Sequence, residues 1–294
     1  MKDAPLLHRV EYAAFLTVER LLRIVGHRGA RRLGSALGAL LWSSARSRRR
    51  VALENLERAL PELSDRARHR IARGSFLHLG RNACDVLSAV RFDAVELCRR
   101  LTLEGWEQFE GARSRGRGVL VMSAHLGTWE IAAYPVGLYA EPMHVIGRPL
   151  DNPLLDRHLT RIRTRFGNRT IPKRGAARGT LAVLAERGVV GILIDQRVSP
   201  AEGEPLPFFG KPALTSTLLA RLAIRYRTPI VPLFGSLQPG GRYRVWFREP
   251  IEPDGSDPIE LTRHCLGVVE REIRAAPETW LWMHRRWVHK RNGG

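Results

Sequence analysis

Two different periodicities divide the chain near residue 92. Up to that point apolar residues recur every three or four positions, the spacing of a helix face. Ala14, Phe15, Val18, Leu21, Leu22 and Val25 place such a face along residues 11–25, interrupted by Glu19, Arg20 and Arg23. A second apolar stretch, Leu33 to Trp42, is short. A membrane-crossing helix needs roughly 20 predominantly apolar residues, and neither stretch meets that. The expectation is an amphipathic face lying in a membrane interface. Packing of that face on the protein's own core stays open, because periodicity does not separate the two. A further helix runs to Leu60 and stops at Pro61, and Ser64-Asp65 starts one that reaches about Val90.

From Leu101 the pattern becomes short apolar runs alternating with amphipathic segments. Residues 118–123, 144–147, 189–194, 230–237 and 242–247 read as strands. Residues 129–139, 152–166, 175–187, 213–225 and 258–274 read as helices. The fold class expected is α/β: a mostly parallel central sheet flanked by helices, with an N-terminal helical region. The domains expected are a helical, membrane-associating region at 1–92 and an α/β domain at 93–294.

Composition adds a bias in charge. Lysine and arginine total 48 against 29 acidic residues, a formal net charge of +19, and nearly all of it is arginine. Arginine binds phosphate through two parallel N–H donors and stays charged when partly desolvated. A chain like this should meet polyanions: nucleic acid, anionic lipid headgroups or an acidic carrier protein. A genome rich in arginine codons gives the same excess. No helix-turn-helix, ribonucleoprotein or zinc-finger pattern supports nucleic acid. The three cysteines are widely spaced, without Cys-x-x-Cys, which excludes zinc ribbons and redox motifs. No secretory signal pattern is visible at the N-terminus.

The richest stretch for chemistry is 118–130, Gly-Val-Leu-Val-Met-Ser-Ala-His-Leu-Gly-Thr-Trp-Glu. A buried strand runs into a short loop, and Thr128 is placed to cap the next helix. His125 then stands just past a strand's C-terminal end, where open α/β sheets gather their ligand sites. Glu130 falls in the first turn of the helix. A histidine can take the proton of an attacking hydroxyl, and a carboxylate can hold its tautomer. The spacing suits Glu130 for that task, and Gly127 allows close backbone approach. Backbone N–H groups at the helix start are candidates to hold an oxyanion. The same spacing also arises from a loop histidine and a first-turn glutamate favoured by the helix dipole.

His125-Leu-Gly-Thr-Trp-Glu130 resembles the His-x-Gly-x-Trp-Glu of the bacterial lipid A late acyltransferases, within the lysophospholipid acyltransferase superfamily. Further blocks follow in order. Asn55-Leu56 with Leu60-Pro61-Glu62 is similar to the family's Asn-Leu…Phe-Pro-Glu, with Leu for Phe. Residues 147–153 resemble its Arg-Pro-x-x-Asn-Pro block. Asp195-Gln196 with residues 207–210 resembles Asp-Gln…Phe-Phe-Gly. Residues 277–287 resemble its C-terminal Pro-Glu-x-Trp-x-Trp-x-His-x-Arg signature. The likeness spans about residues 50 to 288.

The resemblance implies a glycerol-3-phosphate acyltransferase-like fold and transfer of a fatty acyl chain to a hydroxyl of a lipid A precursor. The donor implied is acyl-acyl-carrier-protein or acyl-CoA, with no bound cofactor and no metal. His125 would be the general base and Glu130 its partner. Gly127, Arg148, Asn152, Asp195, Gln196, Phe208 and Phe209 become candidates for substrate binding. Arg148 follows a strand end and suits a phosphate or an oxyanion; Phe208 and Phe209 suit the wall of an acyl groove or plain core. The partners implied are the donor, a lipid acceptor and an anionic membrane surface, not nucleic acid. The place implied is the cytoplasmic face of the inner membrane, peripheral or monotopic. A different acceptor, such as a mannosylated phosphatidylinositol, fits the same residues, and a basic nucleic-acid-binding protein is the competing class.

Overall fold

A computed structural model describes residues 5–287 except residues 148, 173, 174, 254 and 256. Three helices come first: α1 (Leu6–Ser44), α2 (Arg46–Ala59) and α3 (Asp65–Ala89). The two apolar stretches expected as separate segments are halves of α1, which bends at Gly26. That residue has φ 65° and ψ −179°, a conformation glycine adopts without a Cβ penalty. Beyond the bend, Ala30 packs with Leu22 and Cys84 of α3. The Ser64 hydroxyl accepts the Ala67 N–H and so starts α3 as its sequence foretold.

The remaining helices and strands alternate: α4 (Ala94–Arg100), β1 (Leu101–Glu104), α5 (Trp106–Ser114), β2 (Val119–Ser123), α6 (Trp129–Ala132), α7 (Tyr134–Tyr139), β3 (Met143–Gly147), α8 (Pro153–Thr164), β4 (Arg169–Pro172), α9 (Ala176–Ala185), β5 (Val189–Leu193), β6 (Glu204–Phe208), β7 (Lys211–Thr215), α10 (Leu218–Tyr226), β8 (Ile230–Gln238), β9 (Arg242–Phe247) and α11 (Pro258–Ala275). Seven strands form one sheet in the order β1-β9-β8-β2-β5-β3-β4. β8, β2, β5, β3 and β4 run parallel, while β9 lies antiparallel to β8 and carries β1 parallel to itself. β6 and β7 form a separate antiparallel hairpin. The expected helix over 213–225 begins only at Leu218, because residues 211–215 pair with β6.

β2 sits near the middle and is buried along its whole length. Leu120 and Met122 face a layer built by α2, α3, α10, α11 and the C-terminal segment, where they meet Leu56, Phe76, Leu222 and Trp282. Val119 and Val121 face the opposite layer with Phe109, Val136 and Val245. Burial on both faces is why this strand reads as a continuous apolar run. The helices of residues 46–89 thus share one core with the sheet.

Candidate active site

His125 follows β2 and Asp195 follows β5, and these two strands pair in parallel from Val119↔Val189 to Ser123↔Leu193. Equal strand lengths therefore bring the two residues to the same rim. His125 Nδ1 lies 2.9 Å from Asp195 Oδ1, and the His125 backbone N–H donates to Oδ2 at 3.0 Å. The indole N–H of Trp280 donates to Oδ2 at 2.8 Å. Asp195 is buried, whereas the His125 side chain keeps 21% of its surface exposed. Nδ1 thus carries the proton toward Asp195, and Nε2 presents its lone pair at the accessible side. The Gln196 carboxamide nitrogen lies 3.3 Å from that Nε2.

The electrostatics match this geometry. Burial acts to lower the pKa of His125, but the charge and hydrogen bond of Asp195, aided by the charge of Glu130, outweigh it and raise it. Burial acts to raise Asp195, yet the neighbouring imidazole and the donated hydrogen bonds hold it down at about 2.

The expected contact between Glu130 and the imidazole is not the one formed. Glu130 instead takes the guanidinium of Arg163 from α8, whose Nε donates to its two oxygens at 3.2 and 2.9 Å. A forked guanidinium matches a carboxylate better than a ring nitrogen does, and Asp195 already fills the Nδ1 direction. Burial acts to lower the pKa of Arg163, and Glu130 more than reverses it. Glu130 and Arg163, with Trp129, Ser123, Val145 and Leu193, line a narrow cavity of about 70 Å³ beside the histidine. The Trp129 and His125 ring centroids are 5.4 Å apart.

Other sequence candidates take structural places. Asn152 caps α8 through the Leu154 N–H at 3.0 Å and donates to the His8 carbonyl and to Glu11 of α1. It is buried and ties α1 to the rim. Phe208 and Phe209 are buried in the core, with Phe208 stacked 5.8 Å from Trp287; they do not line the cavity. Gly127 has φ 59°, and a Cβ there would collide with the Gly235 carbonyl oxygen. Thr128 stands at the N-cap of α6, but its side chain makes no capping bond. Arg148 lies outside the described residues.

Sequence reasoning missed three supports. Trp280 is the third donor to Asp195. Arg163 neutralises Glu130. His78 of α3 places Nε2 3.0 Å from the Gly127 carbonyl, and burial lowers its pKa. The C-terminal segment that carries Trp280 is held by Asn55, which donates to the carbonyls of Trp282 (2.8 Å) and His284 (2.7 Å). The family signature at 277–287 was the signal for Trp280; only its chemical duty was hidden.

A catalytic-type histidine on the rim of a mostly parallel sheet fits several families, and sequence comparison separates them. The model of the bacterial lipid A biosynthesis acyltransferase family matches residues 2–289. The chain belongs to that family. Among the relatives of this lipid A biosynthesis acyltransferase family member is the lipid A biosynthesis lauroyltransferase of Escherichia coli K12, 29% identical over 89% of this chain and 86% of that protein. The palmitoleoyltransferase of the same strain is 26% identical over 86% and 83%, and the myristoyltransferase 24% over 86% and 77%. Among solved structures, the 1-acyl-sn-glycerophosphate acyltransferase PlsC of Thermotoga maritima aligns over 87% of this chain and 99% of its own, with 14% identity and a TM-score of 0.41. The family match and the curated relatives bear out the acyltransferase implied by the ordered motifs.

Proposed function

We propose that this acyltransferase moves a fatty acyl group from a thioester, on acyl carrier protein or coenzyme A, to a hydroxyl of a lipid A precursor, with His125 as general base and Asp195 as its orienting partner. The observation that carries the reading is the 2.9 Å contact between His125 Nδ1 and the buried Asp195 carboxylate, which favours the tautomer protonated on Nδ1 and leaves Nε2 as the acceptor. In the step derived from it, Nε2 takes the proton of the acceptor hydroxyl as its oxygen attacks the thioester carbonyl carbon. The C–O bond forms and the carbonyl electrons move to oxygen. Collapse of that intermediate breaks the C–S bond, and the thiolate takes the proton from the imidazolium. Ester and thiol leave, and the histidine returns to its starting form. The apolar cavity beside Glu130 and Arg163 supports entry of an acyl chain there.

The same reading places the enzyme on the cytoplasmic face of the inner membrane. No described helix is long and apolar enough to cross a membrane. The first half of α1 instead exposes Leu6, Leu7, Val10, Leu21, Ile24 and Val25. These fall within one face of the helix at 100° per residue. Arg20, Arg28 and Arg32 are exposed on the same helix and suit anionic headgroups.

The deciding test is mass spectrometry of a lipid A precursor incubated with acyl-carrier-protein thioesters. Wild type should add one acyl mass, and His125→Ala should add none while keeping its circular dichroism. Product from a mannosylated phosphatidylinositol alone would move the acceptor elsewhere.

A further inference from the structure

The backbone N–H groups of the four loop residues 125–128 are already in use. His125 donates to Asp195, Leu126 to the Ala124 carbonyl (2.7 Å), Gly127 to the Thr279 carbonyl (3.1 Å) and Thr128 to the Gly235 carbonyl (2.9 Å). A tetrahedral intermediate at His125 therefore finds no free N–H among these four for its oxyanion. Asp195 commits Nδ1 as a donor, so Nε2 can only accept, and a group 3.3 Å away must present N–H to it. That group is the Gln196 amide; its carbonyl oxygen in that place would set lone pair against lone pair. This contact with His125 is the carboxamide's hydrogen bond among the described residues. Yet an acceptor hydroxyl must come within ~2.6–3.2 Å of the same lone pair to be deprotonated. Hydroxyl and amide compete for one direction.

We infer that Gln196 is a catalytic residue that changes partner during the reaction: its N–H caps Nε2 at rest, yields that place to the acceptor hydroxyl, and donates to the carbonyl oxygen as negative charge gathers there. The carboxamide sits one residue from Asp195, so its root stays fixed while its side chain turns. The thioester carbon must lie next to the attacking oxygen, which keeps its carbonyl oxygen within reach of the displaced amide. This role rests on His125 being the base.

The test measures initial rates with an acyl-carrier-protein thioester and a lipid A precursor across pH, for wild type, Gln196→Ala, Gln196→Met, Gln196→Glu and His125→Ala. Loss of an oxyanion donor should lower kcat about 10²–10³-fold in Gln196→Ala and in the similarly sized Gln196→Met, with KM changed less than about threefold. Gln196→Glu should set a carboxylate against Nε2, hold the imidazolium, and move the acid limb of kcat/KM upward by about one pH unit or more. Thermal melts identify variants that fold. Folded Gln196→Ala and Gln196→Met enzymes within about threefold of wild-type kcat would overturn the role, as would an acid limb in Gln196→Glu that does not move. Wild-type turnover in His125→Ala would instead bring down the general-base reading, and this inference with it.

Discussion

At the residue scale, the site turns on which carboxylate owns the imidazole. Asp195 meets Nδ1 directly, and its own charge is secured by three donors. Asp195→Asn can present its amide N–H to Nδ1 and stabilise the tautomer with Nε2 protonated, which cannot act as base. A serine protease loses about 10⁴ in kcat from the same change; a loss of about 10³–10⁴ is expected here, read from initial rates. The pH dependence has a definite sign. As the proposed base His125 must be neutral to act, and its pKa is raised, so kcat/KM should fall as pH drops through that raised value. Asp195→Asn removes the largest raising influence and leaves burial in place, so the residual acid limb should move to lower pH. Glu130 makes a different prediction. With Arg163 it forms a half-buried pair, and removing one partner leaves a charge without its mate. Glu130→Gln should destabilise the fold by about 2 kcal/mol, below the ~3–5 kcal/mol of fully buried pairs. Arg163→Met should cost a similar amount, and the double variant less than the sum of the two. Additive costs in urea denaturation would show that the pair contributes no coupling.

At the element scale, the site is a junction of β2, β5 and the C-terminal segment. Trp280 bridges to Leu126 through the backbone and reaches Asp195 through its indole. Trp280→Phe keeps most of the packing and deletes the N–H. The carboxylate, short of one donor, becomes more basic and holds the imidazolium harder. The acid limb of kcat/KM should therefore rise, by up to about one unit, the equivalent of one hydrogen bond at ~0.5–1.5 kcal/mol. An unmoved limb would mean that the indole only fills space. These contacts also explain what the sequence disclosed. β2, β3, β5, β8 and β9 were legible as apolar runs, and Ser64 as a helix start. The edge strands β1 and β4 are four residues each and carry too few side chains for a pattern. β6 contains Pro205 and Pro207, which argue against a strand, and pairs only within its hairpin. His125 and Asp195 were both visible as strand-end residues, but their partnership depends on β5 lying beside β2. Strand order is a property of the whole sheet, and 70 residues separate the two side chains. Glu130, five positions from His125, was the natural local guess, and the distant Arg163 displaced it.

At the scale of the whole molecule, the first half of α1 carries apolar side chains on its outer side as well as its inner one. Toward the protein it offers Tyr12, which meets His158, and Glu19, which is buried beside Arg23 and His158. Away from it stand the apolar side chains a water-soluble helix would bury. The bend at Gly26 separates this half from the half beyond, where Ala30 joins the buried cluster with Cys84. A helix built this way is complete only when a second apolar medium covers its outer face, and a bilayer interface supplies one. Two side chains give the sharpest test. Leu7 and Ile24 are 66% and 82% exposed, so the fold gains little from them in water. Each contributes up to ~1.5–3 kcal/mol if fully immersed in an apolar phase. Leu7→Ser with Ile24→Ser should therefore weaken binding to anionic phospholipid vesicles by at least about tenfold, with an unchanged melting temperature. Leu22→Ser, at a fully buried position on the inward side of the same helix, should do the reverse, lowering the melting temperature at once. The proposed interface contact would combine apolar insertion with arginine charge, so salt should weaken wild-type binding only in part. Vesicle binding that survives both serines, or that vanishes entirely in salt, would leave the outer face of α1 without its membrane role.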